Sequence, residues 1–265
     1  MPPKKNTYFS TSLHKGLQVL SLFTEEQSTL SQTEISRRLG LNMTSTYRYV
    51  NTLVRLGYLE KDGKSKRLRI GLNCMALGAN FLKNFDRLGE IKSLVNNVHE
   101  RHGMTIDVAL VVDNALMNVY RREAQNTLTF RLPNVSREWH TTSLGKAYLS
   151  NMPENAFLDI MQYIDLSSRT PNTIVNQDDL LIELEKTRQR GYSTSNEEFL
   201  PGLITIGAPL VDSNNSSAVG AVSFDFSTIQ FSLDDVEKKY VDILMELAHS
   251  LSIVLAISKP TMSDK

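Results

Sequence analysis

Several short runs in this chain hold residue types that could do chemistry. Ser143-Leu144-Gly145-Lys146 has the S-x-x-K spacing in which a lysine one helical turn away activates a serine for acyl transfer. The companion elements of that machinery, K-T-G and S-D-N, occur nowhere in the sequence. His99-x-x-His102 could put two imidazoles on one helical face, but no third ligand is spaced to converge with them. Glu197-Glu198 has the look of an acid/base pair; sequence neighbours rarely converge on one substrate, so a structural role is expected. Cys74, the only cysteine, sits among Leu72, Met75 and Leu77 and reads as a small buried hydrophobe. It can form neither an internal disulfide nor a structural zinc site. There is no Walker loop and no dinucleotide fingerprint. The sequence therefore predicts no catalysis, no cofactor and no metal.

One run has a more coherent logic. Asn42-Met43-Thr44-Ser45-Thr46-Tyr47-Arg48 packs hydroxyls and a guanidinium into the start of a helical pattern. Ser and Thr can bond phosphate or base, and Arg can fork onto guanine. Met43 and Tyr47 could equally be packing residues. Downstream, Lys61, Lys64, Lys66 and Arg67 cluster where they could lie along a phosphate backbone, and Ser31 opens the preceding helix as a further candidate contact. Residues 1–70 hold 12 Lys and Arg against 5 Asp and Glu, an excess of +7 that the remainder of the chain cancels. A basic module on an acidic body points to a polyanion partner for the module alone.

The elements that must position these residues can be read from periodicity. Leu13, Leu17, Leu20 and Phe23 share one helical face. Ser31 and Glu34 form a capping box, Ile35 and Leu39 face inward, and Gly40 supplies a left-handed stop. Only Gly40 and Leu41 separate this helix from Asn42, an N-cap for a second helix ending near Gly57. Tyr58–Glu60 and Arg67–Ile70 flank an Asp62-Gly63 turn, a hairpin signal. The order helix, helix, tight turn, helix, β-wing is that of a winged helix-turn-helix, whose second motif helix reads the major groove. Residues 72–86 read as a connector helix. Beyond them, helical patterns at 88–102, 143–151, 154–164, 178–190 and 233–257 alternate with strand patterns at 106–112, 115–122, 204–211 and 218–226, an α+β arrangement.

Four segments together resemble the isocitrate lyase regulator (IclR) family of bacterial transcription factors: LSQTEISRRLGLNMTSTYRYVNTLVRLGYLEKDG, WHTTSLGKAYLS, RGYSTSNEEFLPGLITIGAPLVD and AVGAVSFDF. The resemblance runs from about Leu13 to Leu255. It implies a GAF/profilin-like effector-binding domain, a homodimer through the DNA-binding domain or a tetramer, palindromic operators, and a small organic acid or aromatic catabolite as effector. It carries pocket roles onto Ser143 and Leu144, Ser195, Leu203 and Thr205, Ser223 and Asp225, with Phe130 as an apolar wall. Thr141, Thr142 and Ser143 precede a helix expected to begin near Leu144, where free N–H groups and hydroxyls could hold a carboxylate. Asp225 departs from the family pattern, in which a small polar residue is usual. A carboxylate there would repel an anionic effector unless paired or protonated. It would favour a ligand with a hydroxyl or amine donor, or it points elsewhere.

The predicted architecture is a flexible arm at 1–11, a winged helix-turn-helix at 12–71, a connector at 72–86, an effector-binding and oligomerisation domain at 87–258 and a tail at 259–265. The length of 265 residues is right for about two domains. No secretory leader and no apolar run long enough to span a bilayer are visible, so a cytoplasmic protein is expected. The function predicted is an effector-responsive regulator that binds double-stranded DNA and controls a catabolic operon. The competing classes are an enzyme with an appended DNA-binding module and a ligand-free architectural protein.

Overall fold

The computed structural model describes residues 9–24, 27–84, 87–112, 114–125, 135–212 and 217–256. Phe130, most of the expected arm and the whole expected tail lie outside them. The chain divides into two compact units, Met1–Phe85 and Asp86–Lys265.

The first unit contains α1 (Thr11–Ser21), α2 (Gln32–Leu39), α3 (Met43–Arg55), the hairpin β1 (Leu59–Lys61) and β2 (Leu68–Ile70), and α4 (Leu72–Asn84). Helix α1 starts inside the expected arm because Ser10 caps it, its Oγ accepting from Leu13 N at 3.3 Å. The Ser31–Glu34 capping box is present in both directions, and Gly40 closes α2 at φ 61°. Asn42 caps α3 through Ser45 N at 2.8 Å. Val19, Leu30, Ile35, Val50, Leu53, Leu59 and Leu68 make the core of this unit. Leu30 also bridges Leu68, so the wing hairpin gains a third extended segment.

Three features of this unit differ from expectation. The shared apolar face expected of α1 is only partly buried. Val19 is the buried residue, while Leu13 and Leu17 are 63 % and 55 % exposed. The wing turn is not a two-residue Asp-Gly turn. Asp62 N donates to Arg67 O, and the Asp62 carboxylate accepts from Lys64 N, Ser65 N and Ser65 Oγ, which stabilises a wider loop. Lys66 takes the left-handed conformation at φ 61°. Helix α4 is anchored to the first unit: Asn73 Nδ2 donates to Leu56 O at 2.6 Å, and Gly71 approaches Gly57 so closely that a Cβ would stand 2.3 Å from its carbonyl oxygen.

The second unit is a three-layer α+β fold. Its elements are α5 (Arg87–His102), β3 (Thr105–Val112), β4 (Ala115–Arg122), β5 (Val135–Ser136), α6 (Ser143–Ser150), α7 (Glu154–Met161), α8 (Gln177–Arg190), β6 (Ser193–Asn196), β7 (Leu203–Asp212), β8 (Ser217–Ser227) and α9 (Leu233–Ala256). The six strands pair antiparallel in the order β5-β4-β3-β8-β7-β6. Strand alternation sorts the residues onto two faces. Ile106, Val108, Ile204, Ile206, Val222, Phe224 and Phe226 share the face on which α5 and α9 pack. The opposite face carries Thr105, Asp107, Thr205, Gly207, Ser223 and Asp225 and receives α6. The strands β5 and β6 were not predicted, because short polar edge strands carry little periodicity.

Candidate functional site

Two places in the chain concentrate the residues singled out above. The first is α3 and the wing. Asn42, Met43, Thr44, Tyr47 and Arg48 are exposed along the first turns of α3, with Ser45 partly so. Thr46 is 0 % exposed and its Oγ1 donates to Asn42 O at 3.0 Å. It packs inside the unit and cannot reach a duplex. Two other candidates are also engaged internally. Ser31 is the cap of α2. Arg67 donates from Nε and Nη2 to Thr29 at 3.0 and 2.8 Å and lies 3.4 Å from Glu34, pinning the wing to the start of α2. Lys61, Lys64 and Lys66 are exposed on the wing, with Lys66 Nζ reaching Gly63 O. At 100° per residue, Thr44, Arg48, Asn51 and Arg55 form the ridge of α3 opposite its buried residues Thr46, Val50 and Leu53. Asn51 and Arg55 were not expected on this ridge. The burial phase of α3, once known, brings them in.

The second place is a small recess between α6 and the sheet, with about 20 Å³ of free space, lined by Thr142, Ser143, Leu144, Phe199, Leu203, Thr205, Ser223 and Asp225. Six of the eight expected pocket residues therefore meet at one point, although they come from three separate stretches of chain. Glycines allow the close approach. A Cβ on Gly145 would lie 2.3 Å from Trp139 O, and one on Gly207 would lie 2.8 Å from Ser143 O. Helix α6 begins at Ser143, with Thr142 as N-cap accepting from Gly145 N at 3.1 Å. The hydroxyls of Thr141 and Thr142 are turned to Glu138, so they do not offer themselves to a ligand. Ser195 is also engaged elsewhere. Its Oγ donates to Thr141 O at 2.7 Å and ties β6 to the segment before α6. Phe199 lines the recess without having been expected there, and Thr142 lines it with its hydroxyl turned to Glu138.

The hydroxyls of Ser143, Thr205 and Ser223 are 1 %, 7 % and 2 % exposed as residues and have no hydrogen-bond partner among the described residues. The N–H groups of Ser143 and Leu144, at the open end of α6, likewise have none. These groups face the small open space of the recess, where an anion would bond.

Asp225 does point into the recess, and it is paired. Arg121 Nη1 stands 3.1 Å from Asp225 Oδ2 and also bonds Asp107, while Arg121 Nε reaches Glu123 at 3.1 Å. Asn118 Nδ2 donates to Asp107 at 2.6 Å. Burial, then the neighbouring Asp225, pushes the Asp107 carboxyl well above the usual range, against the pull of Arg121. Burial also raises Asp225, and Arg121 opposes it. Arg121 thus stands among three acids, Asp107, Asp225 and Glu123.

The remaining polar motifs have structural partners. Lys146, fully buried, donates from Nζ to both oxygens of Glu198 at 2.7 Å. Burial lowers its pKa and raises that of Glu198, while the pair's attraction opposes both shifts. Lys146 is thereby committed to Glu198, and Ser143 lacks an activating amine. Glu197, at φ 57°, accepts from Gly202 N at 2.6 Å and shapes the turn that holds Phe199. His99 Nδ1 bonds Met104 O at 2.8 Å beyond the end of α5. Among the described residues no three His, Cys, Asp or Glu gather as a metal site, and no helix is long and apolar enough to cross a membrane.

Comparison with known proteins identifies both domains. Residues 12–63 match the family model of the IclR helix-turn-helix domain, and residues 79–253 match that of the bacterial transcriptional regulator IclR C-terminal domain. The chain is 26 % identical to the HTH-type transcriptional regulator KdgR of Dickeya chrysanthemi over 244 residues, covering 91 % of this chain and 79 % of that protein. An IclR family transcriptional regulator from Brucella abortus superposes with a TM-score of 0.80 at 24 % identity, over 96 % of this chain and 95 % of that one. An IclR homolog from Microbacterium hydrocarbonoxydans, solved with 4-hydroxybenzoate, superposes with a TM-score of 0.71 at 20 % identity, over 94 % and 100 %. With family models matching both an amino-terminal DNA-binding segment and most of the remaining chain, the protein belongs to the IclR family of DNA-binding bacterial transcription regulators.

Proposed function

We propose that this regulator senses a small organic acid in the α6 recess and answers by changing its grip on a palindromic operator of a catabolic operon. The observation that carries this reading is the recess itself. It brings three buried, unpartnered hydroxyls and two free helix N–H groups together at one concave point. A ligand shifts DNA affinity only if it binds two arrangements of the protein unequally, and α4, which leads out of the DNA-binding unit, is the proposed lever. Ser143, Leu144, Leu203, Thr205, Ser223 and Asp225 are the proposed contacts. On the DNA side, Asn42, Met43, Thr44, Ser45, Tyr47 and Arg48 are assigned to the groove and Lys61, Lys64 and Lys66 to phosphate. The solved homolog with 4-hydroxybenzoate supports an acid-binding role by fold alone.

We assign a homodimer, or a pair of dimers, to the working form. An apolar groove on the first unit supports it, lined by Leu13, Leu17, Leu20, Leu53, Leu56 and Leu77 around Gly16. Exposed apolar surface of this kind marks a contact site. A cytoplasmic location goes with a DNA partner. Neither a catalytic nor a purely architectural role gains support, since relatives such as KdgR are transcription regulators and the recess offers no activated nucleophile among the described residues.

The test uses purified full-length protein and the DNA upstream of its own coding sequence. Fluorescence anisotropy should show binding that weakens steeply with salt. A screen of organic acids should then change that affinity. Arg48→Ala should cost about 1–3 kcal/mol of operator binding if the guanidinium reads a base. Unaltered affinity in a folded Arg48→Ala protein refutes the assignment, and indifference to every acid refutes effector control.

A further inference from the structure

We propose that Arg67 is a positioning residue for DNA binding: its paired bonds to Thr29 hold the wing where Lys61, Lys64 and Lys66 meet phosphate. The proposal rests on the assignment of those lysines to the duplex backbone and adds what fixes their place.

The wing is stiff within itself. Asp62 N donates to Arg67 O at 2.8 Å and Lys66 N donates to Asp62 O at 3.1 Å, which closes the loop. The Asp62 carboxylate accepts from Ser65 N and Ser65 Oγ, both at 2.6 Å, and Lys66 Nζ donates back to Gly63 O at 2.6 Å. That last bond uses one of three ammonium donors and leaves two for phosphate. A loop tied in this way carries its lysines together.

Its attachment to the rest of the unit is slight. The hairpin pairs Leu59 with Ile70, Glu60 with Arg69 and Lys61 with Leu68, and so short a two-stranded ribbon is marginally stable by itself. Leu59 and Leu68 are buried and Leu68 bridges Leu30, so the root is held. Beyond the root every residue from 61 to 66 is exposed, and the run has no apolar side chain to pack it down. Among the described residues, Arg67 is the one member of 61–67 whose side chain bonds outside the wing. Nε donates to Thr29 Oγ1 at 3.0 Å and Nη2 donates to Thr29 O at 2.8 Å, with Glu34 at 3.4 Å. Thr29 is itself braced: Gln27 Nε2 donates to its carbonyl at 3.0 Å, and Arg38 of α2 donates to Gln27 Oε1 at 2.8 Å. The wing is thereby fixed to the start of α2, which packs on α3.

Two parallel bonds set the direction of the wing as well as its distance. A lysine at this position would keep the charge and lose the fork. A wing free to swing has to be ordered during binding, and that cost is subtracted from affinity. Lysines that miss their phosphates also leave a signature that lost stability alone does not. The salt dependence of binding flattens, by about 0.9 in slope for each phosphate no longer neutralised.

Fluorescence anisotropy of the full-length protein across a salt series tests this. The probes are DNA from upstream of its own coding sequence and a random-sequence duplex, since phosphate contacts form with both. Lys61→Ala, Lys64→Ala and Lys66→Ala together should flatten the slope by about 2–3. Arg67→Lys alone should flatten it by about 1–2, although no charge is removed. Added to the triple variant, Arg67→Lys should change the slope by less than about 0.5. Thermal unfolding followed by circular dichroism checks the fold. Should Arg67→Lys not fold, Thr29→Val takes its place: it removes one acceptor and no charge, and should flatten the slope by a smaller amount. A wild-type slope in the folded variant, or equal flattening with and without the three lysines, means that Arg67 does not act through the wing; the inference falls and the role of the lysines stands. If the triple variant itself keeps the wild-type slope, the assignment of the wing to phosphate falls as well.

Discussion

At the scale of single residues, the deciding feature is how buried charge is neutralised. Asp225 looked out of place as a lone acid on a strand, and the sequence offered no partner for it. Arg121 lies more than a hundred positions away and reaches it only because β3 stands between β4 and β8 in the sheet. The same cluster makes a pH prediction. Burial first, then Asp225, raises Asp107 in the folded state. Folding therefore favours its protonated form. That stabilising contribution is complete below the unfolded value of about 3.9 and is lost as pH climbs through the raised folded value. Asp107→Asn keeps a donor toward Asp225 at every pH. The difference in unfolding free energy between wild type and Asp107→Asn, measured by urea denaturation, should move in favour of the variant as pH rises through that window. For one proton its slope is at most about 1.4 kcal/mol per pH unit. A flat difference profile would mean that Asp107 is ionised throughout.

At the scale of elements, α6 matters most, and its position depends on two devices. Glycines at 145 and 207 let it approach Trp139 and β7, and the buried Lys146–Glu198 pair ties its first turns to the turn that holds Phe199. Removing one partner of a buried pair strands the other's charge. Lys146→Met should therefore cost about 3–5 kcal/mol, seen as a lower thermal midpoint, and adding Glu198→Gln should restore much of it. If the double variant is no more stable than the single one, the pair is not what holds α6. The G-K and N-E-E signatures were visible in the sequence, but their meeting was not, because 52 positions separate the two members. The helices were easier to foresee. Capping boxes and glycine stops act within a few residues, so α2 and α3 were legible nearly to the residue. Edge strands β5 and β6 were not, since their stability comes from a neighbour rather than from their own side chains.

At the scale of the whole molecule, the exposed Leu13 and Leu17 of α1 test the proposed homodimer. Leu17→Glu places a charge in the groove with Leu13, Leu56 and Leu77. Sedimentation should show the variant shifted toward monomer, with operator affinity reduced at least about tenfold as half-site cooperation is lost. Unchanged assembly would move the dimer interface elsewhere. The helical period of α1 was legible in the sequence, but what covers its apolar stripe was not, since periodicity is the same whether or not a face is buried in the core. Strand β8 gives the parallel lesson. Ser223, Asp225 and Ser227 alternate with Val222, Phe224 and Phe226, a pattern usual for a strand with one wet face. Here both faces are covered, and the polar stripe looks into a recess. By itself the sequence determined the helix-turn-helix, the basic charge of the first seventy residues and the α+β class, because local spacing and composition suffice for these, and the resemblance of four segments pointed to the family. The tertiary structure decided which hydroxyls stay unpartnered, which arginine neutralises Asp225 and which face of α1 stays bare. Those depend on contacts between distant segments, which exist only once the sheet has ordered its strands.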